Sequence, residues 1–93
     1  MTQPEISVVI TIFNEEGNIA PLHEAVYSAL SAIDYELILV DDGSTDRSVE
    51  KMKLLANDRT RVLVFNKNYG QTTALAAGID HSNGKYIVTM DGD

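Results

Sequence analysis

The chain alternates between short apolar runs and longer stretches in which apolar residues recur every three or four positions. The first run, Ile6–Ile12, is rich in β-branched residues and apolar at nearly every position. Such a run is typical of a strand that is covered on both faces of a parallel sheet. The same reasoning predicts further strands at Tyr35–Val40, Arg61–Phe65 and Tyr86–Met90.

Three helices are predicted between these strands. The first is capped by Asn18 and runs to Ile33, the second follows a cap at Thr45 or Asp46, and the third spans Gln71–Ser82. Their apolar residues recur with helical spacing, at Ile19, Leu22, Val26, Leu30, Val49, Met52, Leu55, Leu75 and Ile79. An Asn-Gly pair at positions 83 and 84 is a common signal for the end of a helix.

The order β-α-β-α-β-α-β defines the expected fold class. Strands separated by crossovers of a dozen or more residues pair in parallel, with helices on both faces of the sheet. We therefore predict a single Rossmann-like α/β domain over residues 1–93, with strand order 3-2-1-4. In that order the crevice that usually binds ligands opens between strands one and four.

Composition narrows the possible partners. The chain has 14 acidic and 7 basic residues, a formal net charge of −7, and no cluster of Lys or Arg, which argues against a nucleic-acid partner. An anionic ligand such as a nucleoside diphosphate would need a divalent cation to offset this charge. Cysteine is absent, and the first residues do not resemble a signal peptide, so the expected location is the cytoplasm.

Polar clusters follow each predicted strand. They are Asn14-Glu15-Glu16, Asp41-Asp42, Asn66-Lys67-Asn68 and Asp91-Gly92-Asp93. Each cluster taken singly has a structural explanation as a turn or a helix cap. Several acidic clusters at one edge of a sheet repel each other unless a cation or hydrogen-bond donors compensate, so the combination favours a metal and nucleotide site.

Other ligand motifs do not fit. An EF-hand loop starting at Asp42 needs Gly at its sixth position and Glu at its twelfth, which are Arg47 and Lys53 here. The glycines give neither a P-loop nor a G-x-G-x-x-G sequence. A phosphoacceptor domain of the receiver type would have its acidic pair after strand one and a single Asp after strand three, but strand three is followed here by Asn66-Lys67-Asn68.

The motifs together resemble those of family 2 glycosyltransferases with the GT-A fold, and in particular the polyprenyl-phosphate sugar transferases. The resemblance rests on four ordered segments: V-V-I-T-I-F-N-E at 8–15, V-D-D-G-S-T-D at 40–46, N-Y-G-Q at 68–71, and G-K-Y with M-D-G-D at 84–93. It covers essentially the whole chain. It implies the nucleotide-binding half of a GT-A fold and an inverting transfer of sugar from a UDP- or GDP-sugar to a polyprenyl phosphate.

The resemblance also implies roles for individual residues. The segment from Thr11 to Glu15 would line the base and ribose pocket, and Asp41 and Asp42 would hydrogen-bond the base or ribose. Asp91-Gly92-Asp93 matches the D-x-D motif of the family, so Asp91 and Asp93 are the implied catalytic residues and the implied ligands of Mg²⁺ or Mn²⁺. The implied nucleotide-binding set is Thr11, Phe13, Asn14, Glu15, Asp41, Asp42, Lys67, Gly70, Asp91 and Gly92.

The sequence departs from the family pattern in several places. Thr11 stands where Pro is usual, Phe13 where Tyr is common, and Lys67 where Arg is frequent. The family's acceptor site and membrane-associated segments follow the D-x-D motif, so the chain is expected to be an amino-terminal fragment that is inactive alone and self-associates through strand four. The full-length protein would then work at the cytoplasmic face of the membrane, on a lipid-phosphate acceptor.

Two alternatives to an enzyme fragment stay open at this point. One is a non-catalytic nucleotide-binding or assembly module derived from such an enzyme, and the other is a purely structural α/β domain.

Overall fold

A computed structural model describes residues 3–92 and contains one parallel sheet of four strands in the order β3-β2-β1-β4. The strands are β1 (Ile6–Ile12), β2 (Tyr35–Asp41), β3 (Thr60–Val64) and β4 (Tyr86–Asp91). The helices between them are α1 (Ile19–Leu30), α2 (Ser48–Leu55) and α3 (Gln71–Asp80). The predicted fold class and strand order are confirmed.

Some predicted boundaries were wrong at the ends of the elements. Helix α1 stops at Leu30, and the amide of Ile33 donates to the Leu30 carbonyl in a following turn at 2.8 Å, although the apolar periodicity continues. Helix α3 ends at Asp80, two residues before Ser82. Periodicity overestimates α1 because an apolar residue such as Ile33 can also be partly buried in the turn that follows a helix.

The predicted helix caps were only partly correct. Asn18 does precede α1, but its side chain makes no capping bond and donates instead to Glu15 Oε2 at 3.0 Å. The residue before α2 is Arg47, so the prediction of Thr45 or Asp46 at that position was wrong. Asp46 nevertheless accepts a hydrogen bond from the Ser48 amide at 2.9 Å, which serves one of the amides at the start of α2.

The hydrophobic core lies on both faces of the two central strands. One layer joins alternate residues of β1 and β2 to α1 and α2, and includes Ile10, Leu37 and Met52. The other layer joins Val9 and its neighbours on β2 to α3. The continuous apolar run of β1 is therefore explained by burial on both faces.

Strand β4 contrasts with the central strands because all six of its residues are exposed. One edge pairs with β1, in a register that places Asp91 beside Thr11, and no other strand within residues 3–92 pairs with the second edge. Beside it, an apolar groove of about 220 Å³ runs between β4 and α1, with Val88 and Met90 on one wall.

A buried polar network ties the α3–β4 connection to the central strands. Glu36 accepts hydrogen bonds from the Ser7 hydroxyl and the Asn83 amide, both at 2.5 Å. It also forms an ion pair with Arg61 at 3.0 Å. Burial alone would raise the pKa of Glu36, but these hydrogen bonds and the guanidinium charge together hold it below its ordinary value. The carboxylate is therefore a structural group, far along the strands from the clusters at their carboxyl ends.

Candidate functional site

A cavity of about 400 Å³ opens at the carboxyl edge of the sheet, beyond the ends of β1, β2 and β4. Its volume is within the range of small-molecule sites, and its place is the crevice where open α/β sheets bind ligands. The residues that line it are Thr11, Ile12, Phe13, Glu15, Asp42, Asn68, Gly70, Gln71, Asp91 and Gly92. Seven of the eleven residues that the sequence singled out are among them.

The turn after β1 presents some of its residues to the cavity and uses others to hold the turn. Phe13 lines the cavity and is 46% exposed, a large apolar surface at the mouth of a polar site. Asn14 has a positive φ of 52°, and its Oδ1 accepts hydrogen bonds from the amides of Thr45 at 2.8 Å and Asp46 at 3.3 Å. Asn14 therefore ties two loops together and lies outside the cavity lining.

The two adjacent carboxylates after β2 have different surroundings. Asp41 is fully buried, and its carboxylate accepts from the amide and the hydroxyl of Ser44 at 2.8 and 2.5 Å. It does not line the cavity. Asp42 does, although it is only 4% exposed.

The carboxylate of Asp42 holds the connection between β3 and α3. It accepts from the Tyr69 amide at 2.8 Å, from the Gly70 amide at 3.1 Å, and from Asn68 Nδ2 at 3.2 Å. Gly43 allows the two loops to approach, because a Cβ at that position would lie 2.3 Å from the backbone carbon of Lys67. Asp42 thus shapes one wall of the cavity through the loop that it binds.

Lys67 lies on this loop but not in the cavity lining. Its ammonium group sits 5.1 Å from the centroid of the Tyr69 ring, a cation–π contact. Tyr69 in turn packs edge-on against Phe65, with 5.5 Å between ring centroids. Gly70 follows with a φ of 103°, a conformation that favours glycine, and it leads directly into α3.

The end of β4 closes the opposite wall. Asp91 Oδ1 accepts from Thr11 Oγ1 at 3.4 Å and from Gln71 Nε2 at 2.5 Å. The Gly92 amide donates to the Thr11 carbonyl at 3.0 Å. Asp93, the second acidic residue of the D-G-D motif, lies outside the described residues.

Sequence reasoning missed Asn68 and Gln71 as lining residues. Both were within the N-Y-G-Q segment, so the motif pointed to the right loop without distinguishing its members. Ser44 was also missed as the partner of Asp41, because a serine in a turn looks the same whether or not it faces a buried carboxylate.

Hydrogen bonding also lowers the pKa of Asp46, a carboxylate in the loop after β2. Burial alone would raise the pKa of Asp46, but hydrogen bonds from the hydroxyl and amide of Ser48 and from the Glu16 amide lower it below its ordinary value. The Ser48 hydroxyl also accepts from the Glu15 amide at 3.0 Å. These bonds fix the backbone of the turn that carries Glu15 into the cavity.

The side chains around the cavity suit a hard divalent cation by their chemistry. Glu15, Asp42 and Asp91 supply carboxylate oxygens, which Mg²⁺ and Mn²⁺ prefer. The carboxylate of Asp42 already accepts several hydrogen bonds, so the carboxylate of Asp91 is more available as a metal ligand. Within residues 3–92, no group of three or more His, Cys, Asp or Glu side chains is arranged to hold a metal ion.

Comparison with known families identifies the class of protein. The model of glycosyl transferase family 2 matches residues 7–93, so the chain belongs to this family. The sequence resemblance is confirmed.

Within this family, the chain is similar to curated polyprenyl-phosphate sugar transferases. It is 46% identical over 94 residues to dodecaprenyl-phosphate galacturonate synthase of Rhizobium johnstonii, covering 96% of this chain and 28% of that protein. It is 38% identical to undecaprenyl-phosphate 4-deoxy-4-formamido-L-arabinose transferase of Edwardsiella ictaluri, covering 95% of this chain and 29% of that protein. The chain thus spans less than a third of the length of these polyprenyl-phosphate sugar transferases.

Solved structures share the fold. The mannosyltransferase PcManGT of Pyrobaculum calidifontis, in complex with GDP-Man and Mn²⁺, aligns with a TM-score of 0.81 at 22% identity, over 100% of this chain and 28% of that one. S. aureus TarS aligns with a TM-score of 0.82 at 22% identity, over 96% of this chain and 27% of that one. None of the helices in residues 3–92 is long and apolar enough to cross a membrane.

Proposed function

We propose that this chain forms the donor-binding part of an enzyme that transfers a sugar from a nucleoside diphosphate to a polyprenyl phosphate. The observation that carries the proposal is the cavity of about 400 Å³ at the carboxyl ends of β1 and β4, with the first Asp of the D-G-D motif on its wall. The names of the curated relatives support the polyprenyl-phosphate acceptor, and the UDP and GDP-Man complexes of structural neighbours support the donor class.

The cavity walls suggest how the donor binds. Phe13 offers an apolar ring to a base, and Thr11 and Glu15 offer polar groups beside it to a ribose. Asp42 acts mainly by holding the 68–70 loop as the facing wall, because its carboxylate already accepts three hydrogen-bond donors. Asp41 contributes indirectly, because its carboxylate holds the turn at Ser44.

A divalent cation completes the proposed donor site. Asp91 and Asp93 are the residues that would hold Mg²⁺ or Mn²⁺, and such an ion would stabilise the negative charge that develops on a departing diphosphate. The acceptor phosphate is already ionised at neutral pH, so its oxygen can attack the anomeric carbon without a strong general base. Attack from the face opposite the diphosphate inverts that carbon. The remaining parts of the acceptor site would come from outside this chain.

Calorimetric titration with UDP and GDP, each with and without Mn²⁺, tests the donor site. The expected result is metal-dependent binding that is lost in Asp93→Ala, weakened but still measurable in Asp91→Ala, and kept in Asp58→Asn. Asp58 is the matched control because it is an exposed aspartate far from the cavity. Absence of binding by the unaltered chain, or equal binding by all three variants, would contradict the proposed site.

We also propose that β4 mediates self-association of this chain. All six residues of β4 are exposed, its second edge pairs with no strand of the described part, and Val88 and Met90 border an apolar groove. An exposed apolar edge of this kind pairs readily with another strand. Sedimentation at micromolar concentration should therefore show species larger than a monomer.

A further inference from the structure

A side-chain amide bridges the two walls of the cavity. Gln71 is the first residue of α3, and its Nε2 donates to Asp91 Oδ1 at the end of β4. The Thr11 hydroxyl donates to the same oxygen at 3.4 Å. Asp91 needs such partners, because it ends a strand whose side chains are all exposed and which pairs along one edge only within the described residues.

The backbone that carries Gln71 is itself held in place. The carboxylate of Asp42 accepts from the amides of Tyr69 and Gly70, the two residues immediately before Gln71. Gly70 then turns into α3 with a φ of 103°. The position of the Gln71 backbone is therefore set by the buried carboxylate of Asp42, directly after β2, which makes the Gln71 side chain a well-anchored donor.

The geometry points to Gln71 as a positioning residue for Asp91 in the donor site. Both hydrogen bonds that the Asp91 carboxylate accepts within residues 3–92 reach Oδ1, which leaves Oδ2 available to a cation or a nucleotide hydroxyl. A carboxamide is uncharged, so it orients the carboxylate and preserves its negative charge, whereas a Lys or Arg would compete with a cation for that charge. This inference rests on the proposed donor site.

A double-mutant cycle separates positioning from direct contact with the ligand. Gln71→Ala should weaken metal-dependent UDP or GDP binding by about 3- to 10-fold, the effect of losing one ordinary hydrogen bond. In an Asp91→Ala background the same change should alter binding by less than about 2-fold, since its target is gone. Thr72→Ala, an exposed neighbour on α3, should leave both binding and melting temperature unchanged.

Fully additive effects of Gln71→Ala and Asp91→Ala would overturn the inference, because they would mean that Gln71 acts on the ligand independently. An unchanged affinity in Gln71→Ala would also overturn it. Because Gln71 is exposed and loses one hydrogen bond, the melting temperature of Gln71→Ala is expected to fall by no more than about 8 °C, so a loss of affinity at 25 °C would not reflect unfolding.

A second measurement needs no ligand and so separates this inference from the proposed function. In NMR spectra of the free chain, Asp91→Ala should shift the side-chain amide protons of Gln71, and Thr72→Ala should not. If the chain binds no nucleotide, the proposed function fails, and this shift alone decides whether Gln71 holds Asp91. Absence of the shift would show that the pair does not form.

Discussion

Asp42→Asn tests whether the acidic pair after β2 works by holding a loop. The native carboxylate is 4% exposed and binds the Tyr69 and Gly70 amides and the Asn68 side chain. Asparagine has nearly the same shape, but it replaces one acceptor oxygen by an NH₂ group. That group would face the Asn68 side chain, whereas the retained oxygen would still accept from the Tyr69 and Gly70 amides, so the substitution removes one hydrogen bond and the negative charge without opening a cavity.

The expected cost follows from the bonds that are lost. Hydrogen bonds to a charged group contribute about 1.5–3 kcal/mol each, and Asn loses one of them while its oxygen still accepts from the Tyr69 and Gly70 amides, so the net loss is about 2 kcal/mol. For a domain of this size a loss of 1 kcal/mol lowers the melting temperature by about 4–8 °C, so Asp42→Asn should lower it by about 8–16 °C.

The assay is thermal and urea unfolding, with Asp58→Asn as a control that is expected to stay within about 0.5 kcal/mol of the parent chain. Native-state hydrogen exchange adds local information, because the amides of Tyr69 and Gly70 should exchange faster in Asp42→Asn. A melting temperature within about 2 °C of the parent, with unchanged exchange at these amides, would refute the reasoning.

Three further predictions concern other parts of the molecule. Gly78→Ala should destabilise the chain by about 1–3 kcal/mol in urea unfolding, because its Cβ would lie 2.3 Å from Val9 Cγ1; an unchanged midpoint would contradict the close packing of α3. The lowered pKa of Glu36 favours the folded state above its ordinary value of 4.5, so stability should fall as the pH drops below about 4.5, and Glu36→Gln should flatten this part of the pH profile. An equally steep profile in that variant would assign the acid sensitivity elsewhere. Val88→Lys should reduce self-association in sedimentation, since a charge on β4 opposes strand pairing, and undiminished association would place the contact on another surface.

Much of the fold could be predicted because its determinants are local. A strand buried on both faces must be apolar at successive positions, and Ile6–Ile12 shows this directly. The order of elements then restricts the topology, and the order 3-2-1-4 is confirmed. Element ends were less accurate, as at Ile33, because a residue that is partly buried in a turn gives the same periodicity as one in a helix.

The clusters at the strand ends were also correctly placed at one edge of the sheet, since parallel strands end on the same side. The role of each residue in these clusters could not be predicted from strand direction. Asp41 and Asp42 are adjacent and chemically identical, yet one is bonded to Ser44 away from the cavity and the other holds the loop that forms its wall. Successive residues at the end of a strand point in opposite directions, and what lies in each direction depends on segments distant in the chain.

The sequence by itself therefore determined the elements, their order and the edge at which polar groups gather, because these depend on local periodicity and on strand direction. The tertiary structure alone decided which polar groups meet. Gln71 reaches Asp91 because α3 and β4 flank the same crevice, although the two residues are 20 positions apart. Contacts of this kind depend on how helices pack across a twisted sheet, and no short segment of the sequence contains that information.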